Sequence, residues 1–188
     1  MVGVTAIVVV GAMLAGCAPA GPGVRAAVPS AAFGLRFQVS ASPSGSARGW
    51  GARIRVEIHN PGDAAQLVPS APIVLSGVFG QLRADGSFEE RGGGFAESPD
   101  AQPGSFAVPA GGTAVVERVF PETPADGLLR PGEALRLTVA IRRPLGSDAK
   151  PRPHDLAQVL LDVPASPAPA RVQVSQPREP LESPRVTP

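Results

Sequence analysis

The chain has no tyrosine, a single tryptophan (Trp50), a single cysteine (Cys17) and two histidines, and each scarcity removes a class of explanation. One thiol closes no disulfide within the chain, so a folded domain must be held by packing alone. The near absence of Trp and Tyr removes the rings that commonly anchor sugar-binding and protein-binding surfaces. Charge of one sign is also missing: 17 basic residues face 16 acidic ones, and no basic run exceeds Arg142-Arg143. Nucleic acid, or an anionic membrane as an electrostatic partner, is therefore unsupported. No segment sustains a capped apolar period of 3.6 residues, so helix is expected to be nearly absent. Lysine appears once, at Lys150, while Arg, Ala, Gly, Pro and Val abound, a bias of base composition more than of chemistry.

What is present is period-2 alternation punctuated by turns. Leu35, Phe37 and Val39 alternate with polar or small residues, as do Ile54, Val56 and Ile58 against Arg53, Arg55, Glu57 and His59, the pattern of strands with one buried face. The clearest strand is Leu135, Leu137, Val139 and Ile141 alternating with Arg136, Thr138, Ala140 and Arg142. Thr113 to Phe120 and Leu156 to Val163 read as further strands. Asn60-Pro61-Gly62-Asp63 is a strong turn signal, and Asp85-Gly86 centres a tight hairpin. Pro69 and Pro72 remove ladder donors and point to edge strands or to a strand that switches sheets. Residues 91 to 105, rich in glycine, read as a mobile loop that exposes Phe95. The expected fold is all-β, an antiparallel sandwich of about seven to nine short strands.

The N-terminal stretch carries a different message. Residues 2 to 16 are uncharged and apolar. That is shorter than the roughly 20 residues a spanning helix takes, and it fits the apolar core of a secretory signal. It closes on Leu14-Ala15-Gly16-Cys17, which resembles the lipobox of bacterial lipoproteins. The resemblance implies cleavage between Gly16 and Cys17, with Cys17 as the lipidated mature N-terminus. Two or three acyl chains would make that attachment effectively permanent. Ala18 rather than Asp follows the cysteine, and by the sorting habit of enterobacterial lipoproteins this implies the outer membrane over the inner one. Unlike the family pattern, no Lys or Arg precedes the apolar run.

The strand and turn pairs Val56 to Asp63, Val108 to Gly112 and Leu129 to Glu133 resemble those of immunoglobulin-like modules in exported bacterial proteins. That likeness covers residues 33 to 163 and lacks the paired cysteines and tyrosine corner of antibody domains. A closed barrel is the alternative, since Arg48-Gly49-Trp50-Gly51 loosely resembles the lipocalin Gly-x-Trp. The expected organisation is a signal peptide over 1–16, lipidated Cys17 with a flexible tether over 17–32, the sandwich over 33–163, and a disordered proline-rich tail over 164–188.

Candidate chemistry is sparse. His59 has Asp63 four residues on, but no Gly-x-Ser-x-Gly elbow offers a nucleophile. His154 sits among Pro151, Pro153 and Asp155, and two separated histidines without a thiolate do not make a zinc site. The acidic groups Glu89-Glu90, Glu97 with Asp100, and Glu122 with Asp126 lack the Asp-x-Asp-x-Asp-Gly spacing of a calcium loop. Gly92-Gly93-Gly94 and Gly111-Gly112 precede no helix that could bind phosphate. The expectation is a non-enzymatic, lipid-anchored envelope protein without cofactor or metal, acting in interaction or assembly with an envelope protein. Phe95 and His59 are its candidate partner contacts. The alternative is a lipocalin-like carrier of a small apolar ligand.

Overall fold

Alternating side chains commit a strand to burying one face, and in the computed structural model of the chain two sheets do so against each other. The structure describes residues 27–44, 51–97, 104–121, 129–143, 153–163 and 171–177. The signal segment, Cys17, Trp50, Asp100, Glu122, Asp126 and Lys150 lie outside them. Among the described residues there are eleven strands: β1 (Val28–Ala32), β2 (Leu35–Ser44), β3 (Gly51–His59), β4 (Gln66–Pro69), β5 (Ile73–Leu82), β6 (Phe88–Ala96), β7 (Ser105–Val108), β8 (Thr113–Phe120), β9 (Ala134–Ile141), β10 (His154–Asp162) and β11 (Arg171–Ser175). They form a four-stranded sheet in the order β1-β2-β3-β8, a five-stranded sheet in the order β11-β10-β9-β5-β6, and a small pair β4-β7. Every pairing is antiparallel. The strands thus make separate sheets and not one closed barrel.

The register explains the core. Phe37, Val39 and Ala41 stand opposite Ile58, Val56 and Ile54, and Leu137, Val139 and Ile141 opposite Gly77, Leu75 and Ile73. Their inward side chains join Leu35, Leu135, Leu156, Val159 and Leu161 in one buried cluster. Each fully buried Leu or Ile contributes about 1.5–3 kcal/mol by leaving water. The clasped edges hold the layers in place. At one edge Arg118 points inward from β8 and donates to both Glu97 oxygens and to Ile73 O. At the other, Gln176 Nε2 donates to Pro29 O over 3.2 Å.

Four sequence expectations need correction. The strand count is eleven, above seven to nine. One extra strand, β1, falls within the expected tether: it buries only Val28 and carries Pro29 in a short edge position, too little alternation to read. Another, β11, falls within the expected disordered tail. Prolines on both sides mask a strand that buries Val172 opposite Leu161 and half-buries Val174. The expected loop over 91 to 105 is in part strand, because its glycines serve close strand approach: a Cβ on Gly94 would come within 2.6 Å of Gly77 O. Phe33 occupies the β1-β2 turn with φ 56° beside Gly34 at 76°. Its ring lies 4.9 Å beneath the Arg143 guanidinium and edge-on to His154.

Candidate functional site

The outer face of the four-stranded sheet is where polar side chains converge. Because β2, β3 and β8 are in register, Ser40, Arg55 and Glu117 occupy one rung across the sheet, and Ser42 and Arg53 share the next with Val119. Between them lies a shallow concavity of about 330 Å³ lined by Ser40, Ala41, Ser42, Arg53, Arg55 and Glu117. Alternation turns Ser40, Ser42, Arg53, Arg55 and Glu117 outward for the same reason it turns Ala41, Ile54 and Val116 inward. Arg55 is fixed by Glu57, whose Oε1 accepts from Nε at 3.2 Å and Nη2 at 3.0 Å. Arg53 and Arg55 each stand 3.6 Å from a Glu117 oxygen, an ion pair longer than a hydrogen bond. The site holds opposite charges and hydroxyls, with no buried base or nucleophile among its side chains.

The acids expected in loops are largely engaged by arginine. Glu89 pairs with Arg83 at 2.9 Å, Glu90 pairs with Arg136, and Glu97 pairs with Arg118 at 2.5 Å. The Arg83 side chain, through its hydrogen bond and then its charge, holds the Glu89 carboxyl below the usual carboxylate range. Asp85 is likewise held low, first by the Ser87 hydroxyl and then by the Ser87 backbone N–H, so it serves the hairpin turn. Burial pushes the Asp162 carboxyl up, against the attraction of Arg171. Among the described residues no group of three or more His, Cys, Asp or Glu side chains could hold a metal ion.

Of the candidate partner contacts, His59 is half-buried at the end of β3. Its Nδ1 lies 3.1 Å from Gly112 O and 3.2 Å from Thr113 Oγ1. These contacts dock β3 on the turn before β8. Phe95, expected to be exposed, is half-buried against the core and stacked on Phe120 at 5.0 Å between centroids and 8° between planes. The glycine-rich context that suggested exposure instead lets Phe95 fold back over Gly77, where an added Cβ would meet its ring. Cys17 and Gly16 lie outside the described residues.

Asn60 escaped sequence reasoning beyond its turn signal. It is the one fully buried polar side chain among the described residues. Its Nδ2 donates to Ala64 O at 2.8 Å and Val108 O at 3.1 Å, and its Oδ1 accepts from Gly62 N at 3.0 Å. The concavity also escaped, because only register across three strands assembles it.

Fold and site together define a small all-β sandwich with a polar concavity on the outer face of one sheet. No family model matches the chain, and no curated protein matches it. A solved structure described as "X-ray structure of Northeast Structural Genomics Consortium target SoR45" is 12% identical, over 72% of this chain and 91% of that chain, with a TM-score of 0.35. Likeness at that level carries no argument about function.

Proposed function

We propose that the chain is an exported bacterial lipoprotein, anchored through lipid on Cys17 in the outer membrane, whose sandwich acts as a non-enzymatic interaction or assembly module. The observation that carries this is Leu14-Ala15-Gly16-Cys17 closing an uncharged apolar run. Strand β1 begins at Val28, eleven residues after Cys17 (28 − 17). At roughly 3.6 Å per residue the domain then stands no more than about 40 Å of chain from the bilayer surface. The envelope partner would meet the rigid sandwich and its loops, where binding usually sits. A lipocalin-like carrier needs a cavity of roughly 300 Å³ or more in its interior. Among the described residues the inward side chains of the two sheets form one buried cluster, which favours the sandwich module over the carrier.

Cells expressing the full chain and fed labelled palmitate test the anchor. The wild type should incorporate label and partition with membranes, and Cys17→Ser should do neither. Equal labelling of the two would end the lipoprotein reading. Crosslinking of the intact protein in its native cells, followed by mass spectrometry, identifies the partner.

A further inference from the structure

The concavity on the outer face of the four-stranded sheet carries hydrogen-bonding groups that take no protein partner among the described residues. Arg55 is held by Glu57, so its charge is largely matched within its own strand. Arg53 is different. Its nearest carboxylate oxygen is 3.6 Å away, its side chain is 56% exposed, and among the described residues it makes no hydrogen bond. The hydroxyls of Ser40 and Ser42, which line the same space, make none either. Glu117 sits on the opposite side and is shared at 3.6 Å by both arginines. Across the sheet the order is therefore the Ser40 and Ser42 hydroxyls on β2, the planar five-donor fork of Arg53 on β3, and the Glu117 carboxylate acceptor on β8.

A ligand complementary to that order carries a carboxylate for Arg53 and hydroxyl donors for Glu117, with further hydroxyls against Ser40 and Ser42. An arginine fork meets a carboxylate with two parallel N–H···O bonds, and such charge-assisted bonds are about twice as strong as neutral ones. The volume of about 330 Å³ suits one small ring or one residue of a polymer. A bare anion on Arg53 would set a second negative charge beside Glu117 with no donor for it, and a neutral sugar would leave the Arg53 fork without a charged acceptor. We propose that this concavity binds a hydroxylated carboxylate, the chemistry of an acidic sugar. The proposal goes beyond the anchor and does not depend on lipid at Cys17.

The test is titration of the purified full chain in detergent, followed by the backbone amide shifts of Ser40, Ser42 and Arg53, with glucuronate, glucose and acetate as separate probes. Glucuronate should give saturable shifts confined to β2, β3 and β8, with glucose and acetate at least about tenfold weaker, since each engages only part of the row. Arg53→Gln should weaken glucuronate by about tenfold or more, and Glu117→Gln should reduce glucuronate to the level of acetate. Arg83→Gln, on the distant hairpin, should bind as wild type. All three variants change exposed side chains, and unchanged melting curves confirm that they fold. Absence of saturable glucuronate binding, equal response to the three probes, or binding that survives Arg53→Gln would each overturn the proposal.

Discussion

Asn60 shows how one side chain carries a junction. Its amide ties the turn at 60–64 to the end of β7, while its backbone N–H donates to Gly112 O at 2.9 Å and so joins the turn that precedes β8. Replacing it with alanine leaves Ala64 O, Val108 O and Gly62 N without their partner. Of these only Val108 O is buried, and stranding it costs about 1–3 kcal/mol, while the two groups in the exposed turn are reached by water. Asn60→Ala should therefore lose about 1–3 kcal/mol in denaturant unfolding, and a loss near zero would show that water replaces the amide without penalty. Asp162 makes a pH-dependent case. Burial raises its folded pKa above the ordinary carboxylate value. Its protonated form is the one the fold favours, so this contribution is present below the unfolded pKa and lost as pH rises through the folded one. At neutral pH the ionised side chain bears the desolvation cost. Asp162→Asn should raise the melting temperature at pH 7 and give no gain at pH 3, and an absent gain at pH 7 would contradict the direction of the shift.

Strands near the ends of the chain behave differently from those in the middle. The β2, β3 and β9 strands are legible from alternation because each buries at least four inward residues, such as Ala52, Ile54, Val56 and Ile58. The β11 strand buries Val172 and half-buries Val174. It exists because β10 offers an unpaired edge in register, with Asp162 opposite Arg171 and Gln158 opposite Ser175. Truncation after residue 170 removes that ladder and uncovers Leu161, so it should lower the melting temperature, as should Val172→Asp, which places an unpaired charge against the core. Truncation after residue 177 should leave the melting temperature unchanged. Equal stability of the two truncations would mean that β11 adds nothing. Glycine has the opposite lesson at β5 and β6. Gly80 is extended, yet a Cβ there would overlap Glu89 O where the register shifts between Val78 and Gly80. What sequence reads as looseness is close strand approach.

At the scale of the molecule the sheets are held by their facing cluster and by the Arg118 clasp. Arg118 is an inward position on β8, between Val116 and Phe120, and Glu97 and Ile73 O receive its charge there. Side-chain exposures of 21% and 28% discount the full penalty of a buried ion. Arg118→Met should cost about 1–3 kcal/mol, and the double variant with Glu97→Gln should recover part of it, the signature of coupled partners. Additive losses would show that the two residues act separately.

The sequence by itself determined the class and the layers: alternation set which residues face inward, Gly and Pro set the turns, and the uncharged run ending at Cys17 set the expectation of export. These are local properties, encoded within a few residues of one another. Tertiary structure alone decided that Val28–Ala32 and Arg171–Ser175 are strands, that Phe95 packs on Phe120, and that Ser40, Arg53 and Glu117 share one concavity. Each of those depends on a neighbour distant in the chain, because a marginal strand forms only where another strand presents a free ladder, and a site built from three strands exists only in their register.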